Sequence, residues 1–222
     1  MTRADLARMI DHSVLKPEAT DRDIRAGVEL VRALHVAYYC VQPCWVELAA
    51  DALGGTGICV VGVVGFPHGC DRPDTKARAT AKAVAEGAGE IDMVMNFGAL
   101  RSGQAPLVAT DIEAVVLAAQ GVPVKVILET AALTDEEKRL ACRIACDAGA
   151  AFVKTSTGFH PAGGASAADV RLLRAAVGPD IGVKASGGIR ALAEARAMIT
   201  AGADRIGTSA TAAILAAVDG SA

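Results

Sequence analysis

Short apolar runs alternate along the chain with alanine-rich stretches that have helical spacing. The runs at 10–15, 36–42, 58–65, 90–96, 122–129, 151–156, 181–186 and 204–208 are bounded by glycine, proline or polar residues, the pattern of short strands. The fifth run is almost continuously apolar, as expected of a strand covered on both faces. Between the runs, Ile24, Val28, Val31 and Leu34 share one face of a helix that Thr20 can cap, with Asp23 in the capping-box position. Pro43 suits the first turn of a helix ending near Gly54. Further helices are predicted over 74–86, closed by Gly87, and over about 106–120. Thr134 with Glu137 opens a helix that stops at Gly149, Ser166 with Asp169 opens one ended by Gly178-Pro179, and the stretch 191–200 ends near Gly202.

Eight strands alternating with helices predict a single (β/α)8 TIM barrel, preceded by a short N-terminal helix, over one domain spanning residues 1–222. An open dinucleotide-binding sheet would need a G-x-G-x-x-G turn after the first strand, and none is present there. The intervals from Asp92 to Lys125, Lys154 and Lys184 are 33, 29 and 30 residues, one βα unit each.

Composition narrows the classes. Residues are 52% hydrophobic and only 3% aromatic, so the core is aliphatic. Twenty-two basic against 25 acidic residues, with no basic block, argue against a nucleic-acid partner. Residues 53–70 carry no charge but hold six glycines and Pro67, which suits a buried strand and no membrane span. Six cysteines without a charged-then-apolar leader indicate a reducing, cytoplasmic setting. Cys40 and Cys44, like Cys142 and Cys146, lack the further ligands a structural zinc needs, so they read as small apolar residues and no metal is expected. The four histidines are scattered, and no serine–histidine–acid arrangement can be drawn.

Three strand runs carry a lysine between apolar neighbours: Lys125, Lys154 and Lys184. Strand side chains alternate faces, so if the neighbours meet the helix layer, each lysine and also Asp92 points into the barrel. An amine must be unprotonated to attack a carbonyl. Bringing a lysine from ~10.4 to about 7 takes roughly 4.6 kcal/mol, and a second ammonium ~4 Å away supplies about 4 kcal/mol at an effective dielectric of ~20. Crowded lysines therefore predict Schiff-base chemistry, with Asp92 either relaying protons or neutralising the cluster. Glycine-rich turns follow the last strands at Thr155-Ser156-Thr157-Gly158, Ser186-Gly187-Gly188 and Gly207-Thr208-Ser209, where barrels commonly hold phosphate.

Long segments carry a resemblance that covers essentially the whole chain: Asp11-His12-Ser13-Val14-Leu15-Lys16-Pro17, Gly65-Phe66-Pro67-His68-Gly69, Glu90-Ile91-Asp92-Met93-Val94, Val153-Lys154-Thr155-Ser156-Thr157-Gly158-Phe159 and Val183-Lys184-Ala185-Ser186-Gly187-Gly188-Ile189-Arg190. The chain resembles the deoxyribose-phosphate aldolases, class I enzymes that use no cofactor and reversibly cleave 2-deoxy-D-ribose 5-phosphate to acetaldehyde and glyceraldehyde 3-phosphate. The resemblance implies Lys154 as the Schiff-base lysine, Lys184 as the neighbour lowering its pKa and Asp92 in the proton relay. It also implies Gly158, Gly187, Gly188, Gly207 and Ser209 around the phosphate, Asp11 and Lys125 in the supporting polar network, and Cys40 near the substrate. A homo-oligomer, dimer or tetramer, is expected. The chain departs from some relatives in having Phe159 instead of lysine, Ala210 instead of serine, Ala79 instead of glutamate, and no aromatic residue after Phe159 to serve as a C-terminal tyrosine. The competing readings are a barrel with another sugar-phosphate substrate, or a binding barrel without chemistry.

Overall fold

A computed structural model describes residues 1–219. Helix α1 (Arg3–Met9) leads directly into β1 (Ile10–Val14). The remaining strands are β2 (Tyr38–Val41), β3 (Cys59–Val64), β4 (Glu90–Val94), β5 (Val124–Ile127), β6 (Phe152–Lys154), β7 (Gly182–Ser186) and β8 (Arg205–Thr208). All pair in parallel with their sequence neighbours, and β8 closes on β1, with Asp11 opposite Gly207. The chain is thus a (β/α)8 barrel, with each strand inside the predicted run.

The side chains of Thr2, Thr20, Asn96, Thr134 and Ser166 cap helix starts, Pro73 and Pro106 stand in the first turns of two further helices, and buried apolar faces hold the helices against the barrel. In α2 (Asp21–Ala33) the Thr20 hydroxyl accepts from the Asp23 N–H while the Asp23 carboxylate accepts from the Thr20 N–H, and Ile24, Val28 and Val31 are buried. His35, just past its end, adopts φ 54°, the left-handed conformation that commonly stops a helix. Pro43 begins a single 3-10 turn, Pro43–Trp45, before α3 (Val46–Leu53). Helix α4 (Pro73–Ala85) follows β3, and a one-turn helix α5 (Phe97–Arg101) that the apolar pattern does not announce follows β4. Asn96 caps it by accepting from the Ala99 N–H at 2.9 Å.

Next come α6 (Ala105–Ala118), α7 (Asp135–Asp147), α8 (Ala167–Val177), α9 (Leu192–Thr200) and α10 (Thr211–Asp219). The last of these has no counterpart among the predicted elements. The outward strand residues, among them Ile91, Met93, Val126, Val153, Val183, Ala185 and Ile206, are buried against the helices and form the main core. Inside the barrel the only apolar cluster among the described residues is small, Cys40, Val61 and Val63. Val94, Ile127 and Phe152 share the inward faces of Asp92, Lys125 and Lys154, and the remaining inward positions of β1 and β4 to β8 are largely polar, which positions the chemistry.

Candidate active site

Strand alternation puts Asp92, Lys125, Lys154 and Lys184 inside the barrel, as the sequence predicts, and register sets them side by side. Asp92 pairs with Lys125, Lys154 with Lys184, and Lys184 with Arg205. Asp92 is the hub. Its Oδ2 accepts from Lys154 Nζ at 2.7 Å and from Lys184 Nζ at 2.8 Å, and its Oδ1 accepts from Lys125 Nζ at 3.0 Å. Asp11 accepts from Lys184 through Oδ2 and from Arg205 Nη1 through Oδ1 at 2.8 Å. Glu90 binds Lys125 and, at 3.2 Å, Arg205 Nη2. All seven side chains are buried.

The partners divide the lysines. Lys125, Lys184 and Arg205 each meet at least two carboxylates, whereas Lys154 meets one, Asp92, and shares that oxygen with Lys184. Burial lowers the Lys154 ammonium; Asp92 opposes this, and Lys184 lowers it further. Desolvation therefore leads, with the neighbouring ammonium adding to it. Lys184 is also desolvated, but Asp11 and Asp92 outweigh this and raise it, and Lys125 is raised in the same way by Asp92, Asp11 and Glu90. Burial alone would raise Asp92, yet Lys125, Lys154 and Lys184 hold it well below the usual carboxylate range. The cluster thus keeps two lysines cationic and makes the third the easiest to deprotonate.

A cavity of about 790 Å³ opens at the C-terminal ends of the strands. Lys154 and Lys184 reach it from below, and Gly158, Gly187, Gly188, Gly207 and Ser209 line its wall together with Asp11 and Cys40. Asp92 and Lys125 are not on that wall; both are fully buried beneath it. The glycines are demanded by close approach. At Gly187, with φ 90°, a Cβ would lie 3.1 Å from the Gly164 Cα and 3.2 Å from the Gly158 Cα. A Cβ on Gly207 would lie 2.8 Å from the Ser186 Cβ. The Cys40 thiol is 1% exposed and pushed up to about 11 by burial. Of the other cysteines read as small apolar residues, Cys142 is buried, Cys146 half-buried and Cys44 exposed, so packing explains Cys40 and Cys142 but not Cys44. Phe159 stands at the cavity mouth, edge-on to Phe66 with ring centroids 5.3 Å apart.

Three acids or bases of this region escaped the sequence reading. Glu90 and Arg205 open their strands at the barrel floor, on the same faces as Asp92 and Gly207, so the alternation that found the lysines could have found them. Glu129 sits beyond β5 at φ 48° and clamps Thr157, whose hydroxyl donates to it at 2.5 Å. No sequence periodicity signals that position.

Among the described residues no helix is long and apolar enough to cross a membrane, and no group of three His, Cys, Asp or Glu side chains could hold a metal ion. Residues 6–217 match the family described as DeoC/LacD family aldolase. The deoxyribose-phosphate aldolase 1 of Bacillus licheniformis is 54% identical over 211 residues, covering 95% of this chain and 94% of that one. The deoxyribose-phosphate aldolase of Enterococcus faecalis is 52% identical over 217 residues, 97% and 98% of the two chains. The solved tetrameric deoxyribose phosphate aldolase of Aeropyrum pernix superposes with a TM-score of 0.92 at 31% identity, covering 100% of this chain and 94% of that one. A closed parallel barrel with lysines gathered under its open end, matched over nearly its whole length, means that this chain belongs to the DeoC/LacD family of aldolases.

Proposed function

We propose that the chain, as one aldolase domain over residues 1–222, reversibly cleaves 2-deoxy-D-ribose 5-phosphate to acetaldehyde and D-glyceraldehyde 3-phosphate through an imine on Lys154. The observation that carries this reading is the uneven sharing of carboxylates, which leaves Lys154, on the cavity wall, as the cation with one shared partner. In the cleavage direction the neutral Lys154 nitrogen adds to the C1 carbonyl of the open-chain sugar, and the carbinolamine loses water to form a protonated imine. Removal of the C3 hydroxyl proton lets the C2–C3 bond break. Its electron pair moves into the C–C double bond of an enamine, and glyceraldehyde 3-phosphate leaves. Protonation of the enamine carbon and hydrolysis of the imine release acetaldehyde and restore the amine.

Lys184, held cationic by Asp11 and Asp92, disfavours a proton on Lys154. Asp92 Oδ2 touches both nitrogens and is the oxygen through which a proton passes between them. Lys125 and Asp11 complete the charge network. The phosphate fits the backbone of Gly158, Gly187, Gly188 and Gly207 with Ser209, close to the start of α10. Cys40 lines the same cavity and stays a neutral thiol near the substrate. Free cysteines fit action in the cytoplasm. We expect a homo-oligomer, dimer or tetramer; the leucine side chains exposed on α6, Leu107 and the 82% exposed Leu117, are compatible with one.

The test is to incubate the enzyme with acetaldehyde, reduce with borohydride and map peptides. An ethyl group on Lys154 is expected. Deoxyribose 5-phosphate turnover without any lysine adduct would overturn the imine, and binding without turnover would leave only a sugar-phosphate receptor.

A further inference from the structure

The buried network holds four cations, Lys125, Lys154, Lys184 and Arg205, against three carboxylates, Asp11, Glu90 and Asp92. With every group ionised the interior carries one excess positive charge. A charge buried without a counterion is the costliest state available, so the network favours giving up one proton. Arginine cannot give it up, and Lys125 and Lys184 each sit between two or more carboxylates. The proton must come from Lys154.

Arg205 is the group that creates the excess, although it lines no part of the cavity. It stands in register with Lys184, which is in register with Lys154, so two strand spacings of ~4.8 Å separate its backbone from that of Lys154. Its guanidinium is clamped between Asp11 and Glu90 and covered by the Tyr38 ring, 3.2 Å from the ring centroid. The other titratable groups of this interior are Tyr38 and Cys40 on β2 and Cys59 on β3. Burial, as the leading cause, raises all three, with both thiols at about 11, so they stay uncharged near neutrality and do not enter the balance.

We infer that Arg205 and Glu90, on the barrel floor, are positioning residues that set the charge balance of the site and so decide that Lys154 is the lysine left as a free amine. This rests on the imine reading above but assigns a function to two residues that touch neither substrate nor Lys154. A structural role alone would make any substitution here weaken the site in the same direction. The electrostatic role gives opposite signs. Loss of the Arg205 charge leaves three cations for three carboxylates, so Lys154 keeps its proton to higher pH. Loss of the Glu90 charge leaves four for two, so Lys154 loses its proton at lower pH. A unit charge about 10 Å away at an effective dielectric of ~20 moves an amine by about one pH unit.

The experiment follows borohydride trapping of acetaldehyde on Lys154 against pH in the wild type, Arg205→Met, Arg205→Lys, Glu90→Gln and the double variant Arg205→Met/Glu90→Gln. Near-ultraviolet circular dichroism confirms the fold of each. The acid limb of the trapping rate is expected to move up by about one pH unit in Arg205→Met and down by about as much in Glu90→Gln. It should stay near the wild-type position in Arg205→Lys and in the double variant. Limbs that all move the same way, or not at all, with the adduct still on Lys154, would overturn the inference. If Arg205→Met does not fold, the downward shift in Glu90→Gln decides alone, and its absence refutes the pair. A wild type that forms no Lys154 adduct instead sinks the imine reading, and this assignment with it.

Discussion

Replacing Lys184 with leucine isolates the contribution of one ammonium to the reactivity of another. In the wild type both Lys154 and Lys184 donate to Asp92 Oδ2, at 2.7 and 2.8 Å, which sets the two nitrogens about 4–5 Å apart for hydrogen bonds converging on one oxygen. At an effective dielectric of ~20 their repulsion is then about 4 kcal/mol, or between two and three pH units in the Lys154 ammonium at ~1.36 kcal/mol each. Removing Lys184 also frees Asp92 to pair more fully with Lys154, which acts in the same direction. The fold should survive, because Asp11 keeps Arg205 at 2.8 Å and Asp92 keeps Lys125 at 3.0 Å. The initial rate of borohydride-trapped adduct on Lys154, measured from about pH 5 to about pH 10, should fall several hundred-fold at neutral pH and recover toward the wild-type rate at the alkaline end. A neutral-pH rate within twofold of wild type, in folded protein, would remove Lys184 from the account and leave burial as the whole cause of the perturbed amine.

Other regions of the chain give separate tests. Lys76 and Asp111 form a buried pair at 2.6 Å that ties α4 to α6, and Lys76 also donates to the carbonyls of Gly69 and Val94 at 2.8 Å each. Asp111→Asn should therefore cost about 3–5 kcal/mol in urea unfolding with Lys154 trapping little changed, while an apolar pair at the two positions recovers most of the loss. His12, packed beside Tyr39 and bonded to the Thr211 hydroxyl at 2.9 Å, is lowered by burial to about 4. The unfolded state binds a proton there near 6.5, so stability falls as pH drops from about 6.5 to about 4, by up to about 3 kcal/mol. His12→Gln should flatten urea-denaturation midpoints across that window; an unchanged pH slope would contradict the buried neutral ring. Gly187→Ala places a Cβ against Gly164 and Gly158 at φ 90°. It should raise KM for glyceraldehyde 3-phosphate tenfold or more, about 1.4 kcal/mol, while deuterium exchange into acetaldehyde, which needs no phosphate, stays close to wild type.

The barrel was legible in the sequence because its signals are local. Valine-rich runs of strand length, capping boxes at Thr20 and Thr134, and lysines one βα unit apart each follow from spacing alone. What the spacing could not supply was the identity of the reactive lysine. Lys125, Lys154 and Lys184 look alike in sequence, and only the closed barrel shows that two of them hold several carboxylates each while the third shares one. Glu90 and Arg205 were missed because charged residues in the first two positions of a predicted run read as boundary residues, whereas register carries them into the barrel floor. Helix α5 is a single turn held by the Asn96 cap, too short for a 3.6-residue period to show. Glu129 depends on a left-handed backbone at a strand end, which no composition rule marks.

The central claim is that the Lys154 nitrogen is uncharged when the substrate arrives, and direct titration tests it. Lysine labelled with nitrogen-15 or carbon-13, with the Lys154 resonance assigned by its loss in Lys154→Arg, reports that amine alone. The Lys154 midpoint is expected below that of a free lysine, with the Lys184 ammonium protonated throughout. A Lys154 midpoint at the ordinary value of ~10.4, with Lys184 intact, would contradict it.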